Sequence, residues 1–341
     1  MNERDCWLIR IQEGGNGDVY GLGEAAPLPG LSLELDEEFE QNLERLVDQF
    51  NALKLDFRGE GNLVLVSKTL IESIPELPRF PSILFAFEMA LLDLGNGGKR
   101  IIFKNSFFEG QPIPINGLIW MSGMDMMLQQ IEIKIQEGFD CLKLKVGGLD
   151  FEKECDILQY VRRKYFKLNI SLRLDANGAF KEEEVMYKLH ELAKFDIHSI
   201  EQPIKPGSEL MFEICKNSPI PIALDEELIG IADGGKKRAL LDKVKPQYII
   251  LKPSLHGGLS GCKEWIEIAE KMNVGWWMTS ALESNIGLNA IAQFTAEYKN
   301  ALPQGLGTGK IYDDNIDSPL LVKKGNLSYT GPDEWGDIDF N

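Results

Sequence analysis

Six charged side chains constrain this chain more than any other feature, because each closes a short apolar run and the runs recur at a near-constant interval. Lys143 and Lys145 end Leu142-Lys143-Leu144-Lys145, Asp175 ends Ser171-Leu172-Arg173-Leu174-Asp175, and Glu201 ends Ile197-His198-Ser199-Ile200-Glu201. Asp225 follows Ile222-Ala223-Leu224, and Lys252 follows Tyr248-Ile249-Ile250-Leu251. Lys145 to Asp175 is 30 residues, Asp175 to Glu201 is 26, Glu201 to Asp225 is 24 and Asp225 to Lys252 is 27. Each interval has room for one strand, one loop and one helix of a βαβ repeat. A barrel strand is buried on both faces, so it reads as branched and apolar up to its tip, where barrel chemistry is displayed. The expected fold class is therefore α/β, a (β/α)8-type (modified TIM) barrel.

Around this series the chain divides in texture. Residues 1–112 open with strand-like Cys6–Ile11, turn punctuation at Gly14-Gly15-Asn16-Gly17 and a returning run Val19–Glu24, which together spell a hairpin. Apolar positions at helical spacing follow over 36–53 and 82–94. We expect an α+β capping domain over 1–112, completed by 318–341, and a barrel over 113–317. Strand candidates in the barrel are 115–119, 142–146, 170–175, 197–201, 222–225, 248–252, 276–279 and a glycine-rich last one at 303–307. Helices are expected over 123–137, 151–165 and 181–194.

Strand alternation places Lys143 and Lys145 on one face and Leu142 and Leu144 on the other; with the leucines against the surrounding helices, both ammonium groups enter the barrel mouth. Alone, a Lys-x-Lys pair fits a solvated edge strand, and any one of the acids fits a helix cap. Three acids on consecutive repeats with lysines on both sides fit neither. Asp175, Glu201 and Asp225 would meet at one end of the barrel, where unpaired carboxylates repel and call for a cation. All-oxygen ligands suit Mg²⁺, with Mn²⁺ an admissible substitute. In Asp225-Glu226-Glu227, alternation selects Asp225. Such a set suits removal of a weakly acidic proton beside a carboxylate: the cation steadies the enediolate, and Lys145 or Lys252 takes the proton, Lys145 being helped toward neutrality by Lys143.

Composition excludes other classes. The net charge of −17, from 36 basic and 53 acidic residues, leaves no basic stripe for nucleic acid. No apolar stretch approaches the roughly 20 residues of a bilayer span, and Ile83–Leu94 is interrupted by Glu88 and Asp93. The five cysteines are scattered without a CxxC pair, and the N-terminus lacks the order of a signal peptide, so a cytoplasmic location is expected. The expected partner is a small-molecule carboxylate, with a homo-oligomer left open. Of the histidines, His190 and His198 match no ligand spacing, and His256 reads more readily as a solvated turn residue than as one reaching the mouth. Trp276-Trp277 reads as packing.

The order Lys-x-Lys, then Asp, Glu and Asp on successive strands, then Lys, resembles the muconate lactonizing enzyme subgroup of the enolase superfamily, and the likeness runs over nearly the whole chain. Gly23–Gly30 resembles that family's capping loop, and Ala281–Gly287 its segment after the seventh strand. Within the subgroup, Gly305–Lys310 and Asp314–Leu320 are most similar to the o-succinylbenzoate synthase family. That resemblance implies Mg²⁺ held by Asp175, Glu201 and Asp225, with Lys145 as the base and Lys252 as a cation on the opposite face. It also implies a syn dehydration of 2-succinyl-6-hydroxy-2,4-cyclohexadiene-1-carboxylate in menaquinone biosynthesis. Leu28 and Gly30 of the capping loop would touch substrate, as would Asn177, Thr279 and Ser284, which stand near strand tips. The alternative within the subgroup is an N-acylamino acid racemase or dipeptide epimerase; dipeptide epimerases hold the substrate ammonium with acids in the eighth strand, and 305–309 has none.

Overall fold

A computed structural model describes residues 4–13, 19–53, 61–309, 311–331 and 335–338. The expected turn at Gly14–Gly17 and Lys310 lie outside the described residues.

The N-terminal segment begins with an antiparallel hairpin of β1 (Trp7–Gln12) and β2 (Tyr20–Ala25), in which Trp7 faces Ala25 and Gln12 faces Tyr20. Helices α1 (Phe39–Ala52), α2 (Leu63–Ser73) and α3 (Pro81–Gly95) follow. Every residue from Ser82 to Asp93 is buried, the signature of a helix enclosed on all sides. Strand β2 lies directly on its backbone. A Cβ on Gly21 would come within 1.8 Å of the Ala90 carbonyl oxygen, and one on Gly23 within 1.9 Å of that of Ala86. Only glycine allows so close an approach.

Strand β3 (Ile113–Pro114) precedes the barrel. The barrel alternates β4 (Gly117–Ile119), α4 (Met124–Gln136), β5 (Cys141–Lys145), α5 (Phe151–Lys164), β6 (Ser171–Asp175) and α6 (Val185–Ala193). It continues with β7 (Ile197–Glu201), α7 (Met211–Asn217), β8 (Ile222–Leu224), α8 (Gly234–Val244), β9 (Tyr248–Leu251), α9 (Gly258–Lys271), β10 (Gly275–Met278) and α10 (Asn285–Thr295). Strands β4 to β10 form one parallel sheet in chain order, each paired with its successor. Among the described residues it closes through two, Gln304 and Gly305. Gln304 bridges to Ile115 on one edge and Gly305 to Thr279 on the other, both in parallel sense. The expected eighth strand at 303–307 is thus reduced to a two-residue clasp. At Gly305 a Cβ would lie 2.4 Å from the Thr279 hydroxyl, so the glycine that lowers strand propensity is what lets the edges meet.

The tail hairpin, β11 (Leu320–Lys323) and β12 (Asn326–Tyr329), joins β3 in a three-stranded antiparallel sheet. Tyr329 packs against Phe107 and Phe108, with ring centroids 6.1 and 4.9 Å away. Among the described residues no helix is long and apolar enough to cross a membrane.

Candidate active site

Register alone brings the charged tips together. Lys145 is paired with Asp175, and Asp175 with Glu201, so the ends of β5, β6 and β7 stand in a row. Glu201 is paired with Ala223, which sets Asp225 two residues further along on the same face. Below this row the inward side chains are Lys143 and Arg173, also paired in register. The Arg173 guanidinium lies 3.9 Å from the Trp277 ring centroid and donates to the Pro303 carbonyl at 2.7 Å, forming a buried cationic floor.

Contrary to the expectation from the sequence, the carboxylates do not stand unpaired. Lys143 reaches Asp175 Oδ2 at 2.9 Å and Glu201 Oε2 at 2.6 Å, while Lys145 reaches the same Asp175 oxygen at 2.7 Å. Lys252 is hydrogen-bonded to Asp225 Oδ2. The ammonium groups thus take over much of the charge balance that sequence reasoning assigned to a cation. Burial opposes the charge of Lys143, but the Asp175, Glu201 and Asp225 carboxylates outweigh it and hold its pKa above the usual lysine value. Burial likewise opposes ionisation of Asp175 and Asp225, yet Lys143 and Lys145 hold the first below the ordinary aspartate range, and Lys252 holds down the second. Glu201 goes the other way: burial first, then the neighbouring Asp175, push it well up. It is the carboxyl with the most to gain from an added cation.

Two further observations fit a divalent ion. Among the described residues Glu201 Oε1 and Asp225 Oδ1 are buried and without a hydrogen-bond partner, and an orphaned carboxylate oxygen is costly unless something positive meets it. Among the described residues no three acidic, histidine or cysteine side chains form a ready-made cage, and Lys143 and Lys252 sit on oxygens of Asp175, Glu201 and Asp225. The donor set of Asp175, Glu201 and Asp225, all oxygen and all at most 2 % exposed, fits a hard cation.

A cavity of about 140 Å³ opens above this row. Of the residues expected from the sequence, Leu28, Lys143, Lys145, Asp175, Asn177, Lys252 and Thr279 line it, with Glu201 and Asp225 bound to its lysines. Lys145 is the more open member of its pair, 23 % exposed against 8 % for Lys143, and it also donates to Asn177 Oδ1 at 2.6 Å. Glu226 accepts from Asn177 Nδ2 at 2.8 Å and so supports the rim.

Ser284 and Gly30 do not line this cavity. The Ser284 hydroxyl accepts from the Ile286 amide as the N-cap of α10 and donates to Glu24 at 2.6 Å, so it is spent on structure. Gly30 is exposed, at φ +82°, in a turn closed by the Leu31 amide on the Leu28 carbonyl at 3.1 Å. With Pro29 and Gly30 at its centre this is a type II turn, and its flanks, Leu28 and Leu31, are what face the cavity. His256 is not a solvated turn residue either: it is 2 % exposed.

Sequence reasoning missed Leu31, Asn116, Trp120, Leu282 and Thr308 on the cavity wall. Asn116 lies at the start of its strand run and Thr308 just past the glycine-rich last one, so neither stands at a charged strand tip. A larger cavity of about 280 Å³ lies at the seam between 32–34, 78–81 and the loops after β8 and β9, but Lys143, Lys145 and Asp175 are absent from its lining. We therefore place the chemistry in the smaller one.

Residues 126–336 match the family described as enolase C-terminal domain-like. The o-succinylbenzoate synthase of Desulfotalea psychrophila (strain LSv54 / DSM 12343) is 43% identical over 345 aligned positions, 96% of this chain and 92% of that protein. The chain belongs to the o-succinylbenzoate synthase family of the enolase superfamily. The crystal structure of MenC from Desulfotalea psychrophila LSv54 superimposes with a TM-score of 0.83 at 42% identity, covering 95% of this chain and 94% of that one. A dipeptide epimerase from Cytophaga hutchinsonii, complexed with Mg and the dipeptide D-Ala-L-Val, shares the fold at 19% identity, with a TM-score of 0.78 over 98% of this chain and 88% of that one. Enolase superfamily members are generally divalent-metal dependent, in keeping with the orphaned oxygens of Glu201 and Asp225.

Proposed function

We propose that this protein is a cytoplasmic o-succinylbenzoate synthase, a carbon–oxygen lyase. It dehydrates 2-succinyl-6-hydroxy-2,4-cyclohexadiene-1-carboxylate to o-succinylbenzoate in menaquinone biosynthesis, with Mg²⁺ as its metal and Mn²⁺ as a substitute. The observation that carries this reading is that Lys145 and Lys252, from strands on opposite sides of the row of acids, line one small cavity. The family's 43%-identical relative supplies the reaction.

Asp175, Glu201 and Asp225 would hold the metal, which when bound supplies positive charge to the substrate carboxylate and so acidifies its α-carbon. Lys145 in its amine form takes the α-proton. Lys143, kept charged by Asp175 and Glu201, lies on the same Asp175 oxygen as Lys145 and so fixes the carboxylate from which Lys145 reaches the cavity. The resulting enediolate faces the Lys252 ammonium, a fixed positive group that needs no reorganisation. Lys145 then returns its proton to the departing hydroxyl on the same face, which leaves as water, and the ring becomes aromatic. Leu28, Leu31 and Leu282 present an apolar wall that limits access of bulk water.

Because both lysines reach one cavity, α-proton exchange on N-acylamino acids or dipeptides is the second reading. On the wall contributed by 305–308 the lining residues are Gly305, Gly307 and Thr308, with no acid to hold a substrate ammonium, which favours dehydration. The deciding assay follows ultraviolet absorbance as the diene aromatises in the presence of Mg²⁺. Turnover supports the assignment; no turnover, together with Mg²⁺-dependent deuterium exchange at the α-carbon of N-acylamino acids, overturns it.

A further inference from the structure

Lys252 stands one residue beyond β9, where the parallel ladder has run out: β8 ends at Leu224 and β9 at Leu251. Its amide is instead donated to His256 Nδ1 at 3.0 Å. The chain returns the contact, since the His256 and Leu255 amides both donate to the Lys252 carbonyl at 2.9 Å. The peptide units on both sides of the Lys252 Cα are thus pinned by one turn whose closing group is an imidazole.

A backbone amide can only donate, so Nδ1 must carry the lone pair, and in the neutral ring the proton sits on Nε2. Among the described residues Nε2 is buried and has no partner, and His256 lines the 280 Å³ seam cavity. A buried amide left without an acceptor is expensive, which gives the imidazole a task at Nδ1 that an apolar residue cannot perform.

We propose that His256 is a positioning residue for Lys252: Nδ1 fixes the backbone from which the ammonium reaches the substrate, while Asp225 fixes only the ammonium itself. The kinetic consequence rests on the dehydration proposed above; the hydrogen bond does not. Asparagine and glutamine separate the two ring nitrogens. In His256→Asn the side-chain oxygen can take the place of Nδ1, whereas in His256→Gln the amide group extends toward the position of Nε2 and the Lys252 amide loses its acceptor.

His256→Asn is expected to keep kcat within about twofold of the parent, and His256→Gln to lose about tenfold in kcat with little change in KM, the pattern of a misplaced catalytic group. Equal damage in the two variants, or parental kcat in His256→Gln, overturns the proposal. Independently of turnover, ¹⁵N shifts of the His256 ring in the intact protein should report the Nε2–H tautomer; the Nδ1–H tautomer overturns the clamp. If the parent protein fails to aromatise the diene, the dehydration reading falls, and the nitrogen shifts still test the hydrogen bond.

Discussion

Glu24, on the second strand of the N-terminal hairpin, accepts hydrogen bonds from both the amide and the hydroxyl of Ser284, at 2.8 and 2.6 Å, although 260 residues separate them. The same carboxylate accepts the Gly287 amide at 2.8 Å, so it closes the exposed amides at the start of α10 from another part of the chain. Glu88 of α3 repeats the arrangement at α9, accepting the Leu259 amide at 2.6 Å and the Ser67 hydroxyl at 2.6 Å. Two acids of the N-terminal segment thus cap two barrel helices.

Ser284→Ala removes a cap and one partner of a buried carboxylate. We expect a stability loss of about 1–2 kcal/mol, seen as a lowered melting temperature, with kcat/KM within about twofold of the parent. A selective rise in KM without loss of stability would instead place the hydroxyl on the substrate.

Gly30→Ala meets no steric obstacle among the described residues, none of which lies within 4 Å of the added carbon, but φ +82° strains any other residue. The cost is about 1 kcal/mol. If the capping loop relaxes to relieve it, Leu28 and Leu31 withdraw and KM rises about fivefold, which steady-state kinetics would read directly. An unchanged KM would show that the turn does not set the cavity wall.

Lys145→Ala should lower kcat by about 10²–10⁴-fold and leave the circular dichroism spectrum as it was, because the side chain is partly open and Asp175 keeps Lys143. Retained turnover would remove Lys145 from the role of base.

Chelation of divalent ions should abolish activity and Mg²⁺ should restore it. Glu201→Gln is expected to weaken Mg²⁺ binding, measured by calorimetry, by at least the roughly 10–100-fold that follows loss of even an outer partner of a metal ligand. Unaltered affinity would mean that the orphaned Glu201 oxygen is not a ligand.

Burial pushes Glu88 up to about 7 from its ordinary 4.5, although the Ser260, Ser67 and Leu259 donors pull the other way. The folded protein therefore holds this proton more tightly than the unfolded chain. Its contribution to stability is complete below about pH 4.5 and is lost as pH rises to about 7, each step of one in pH costing about 1.4 kcal/mol. Glu88→Gln keeps an acceptor for the Leu259 amide and cannot ionise. Urea melts between pH 4.5 and 7 should show a shallower decline in the variant; parallel curves would mean that Glu88 is ionised in the folded state.

The barrel, its strand tips and the six charged residues were legible in the sequence because each rests on a local rule. Buried parallel strands are continuous apolar runs, alternation assigns faces, and a near-constant interval implies a repeat. What only the tertiary structure decided depends on contacts between residues far apart in the chain. The acids are matched by lysines of other strands, Ser284 is held by Glu24 away from the cavity, and His256 is buried at the seam with the N-terminal segment. The eighth strand shrinks to a clasp because its edges meet over Gly305. Spacing along a chain shows which side chains can share a face; it carries no record of which partner reaches them first once the segments pack.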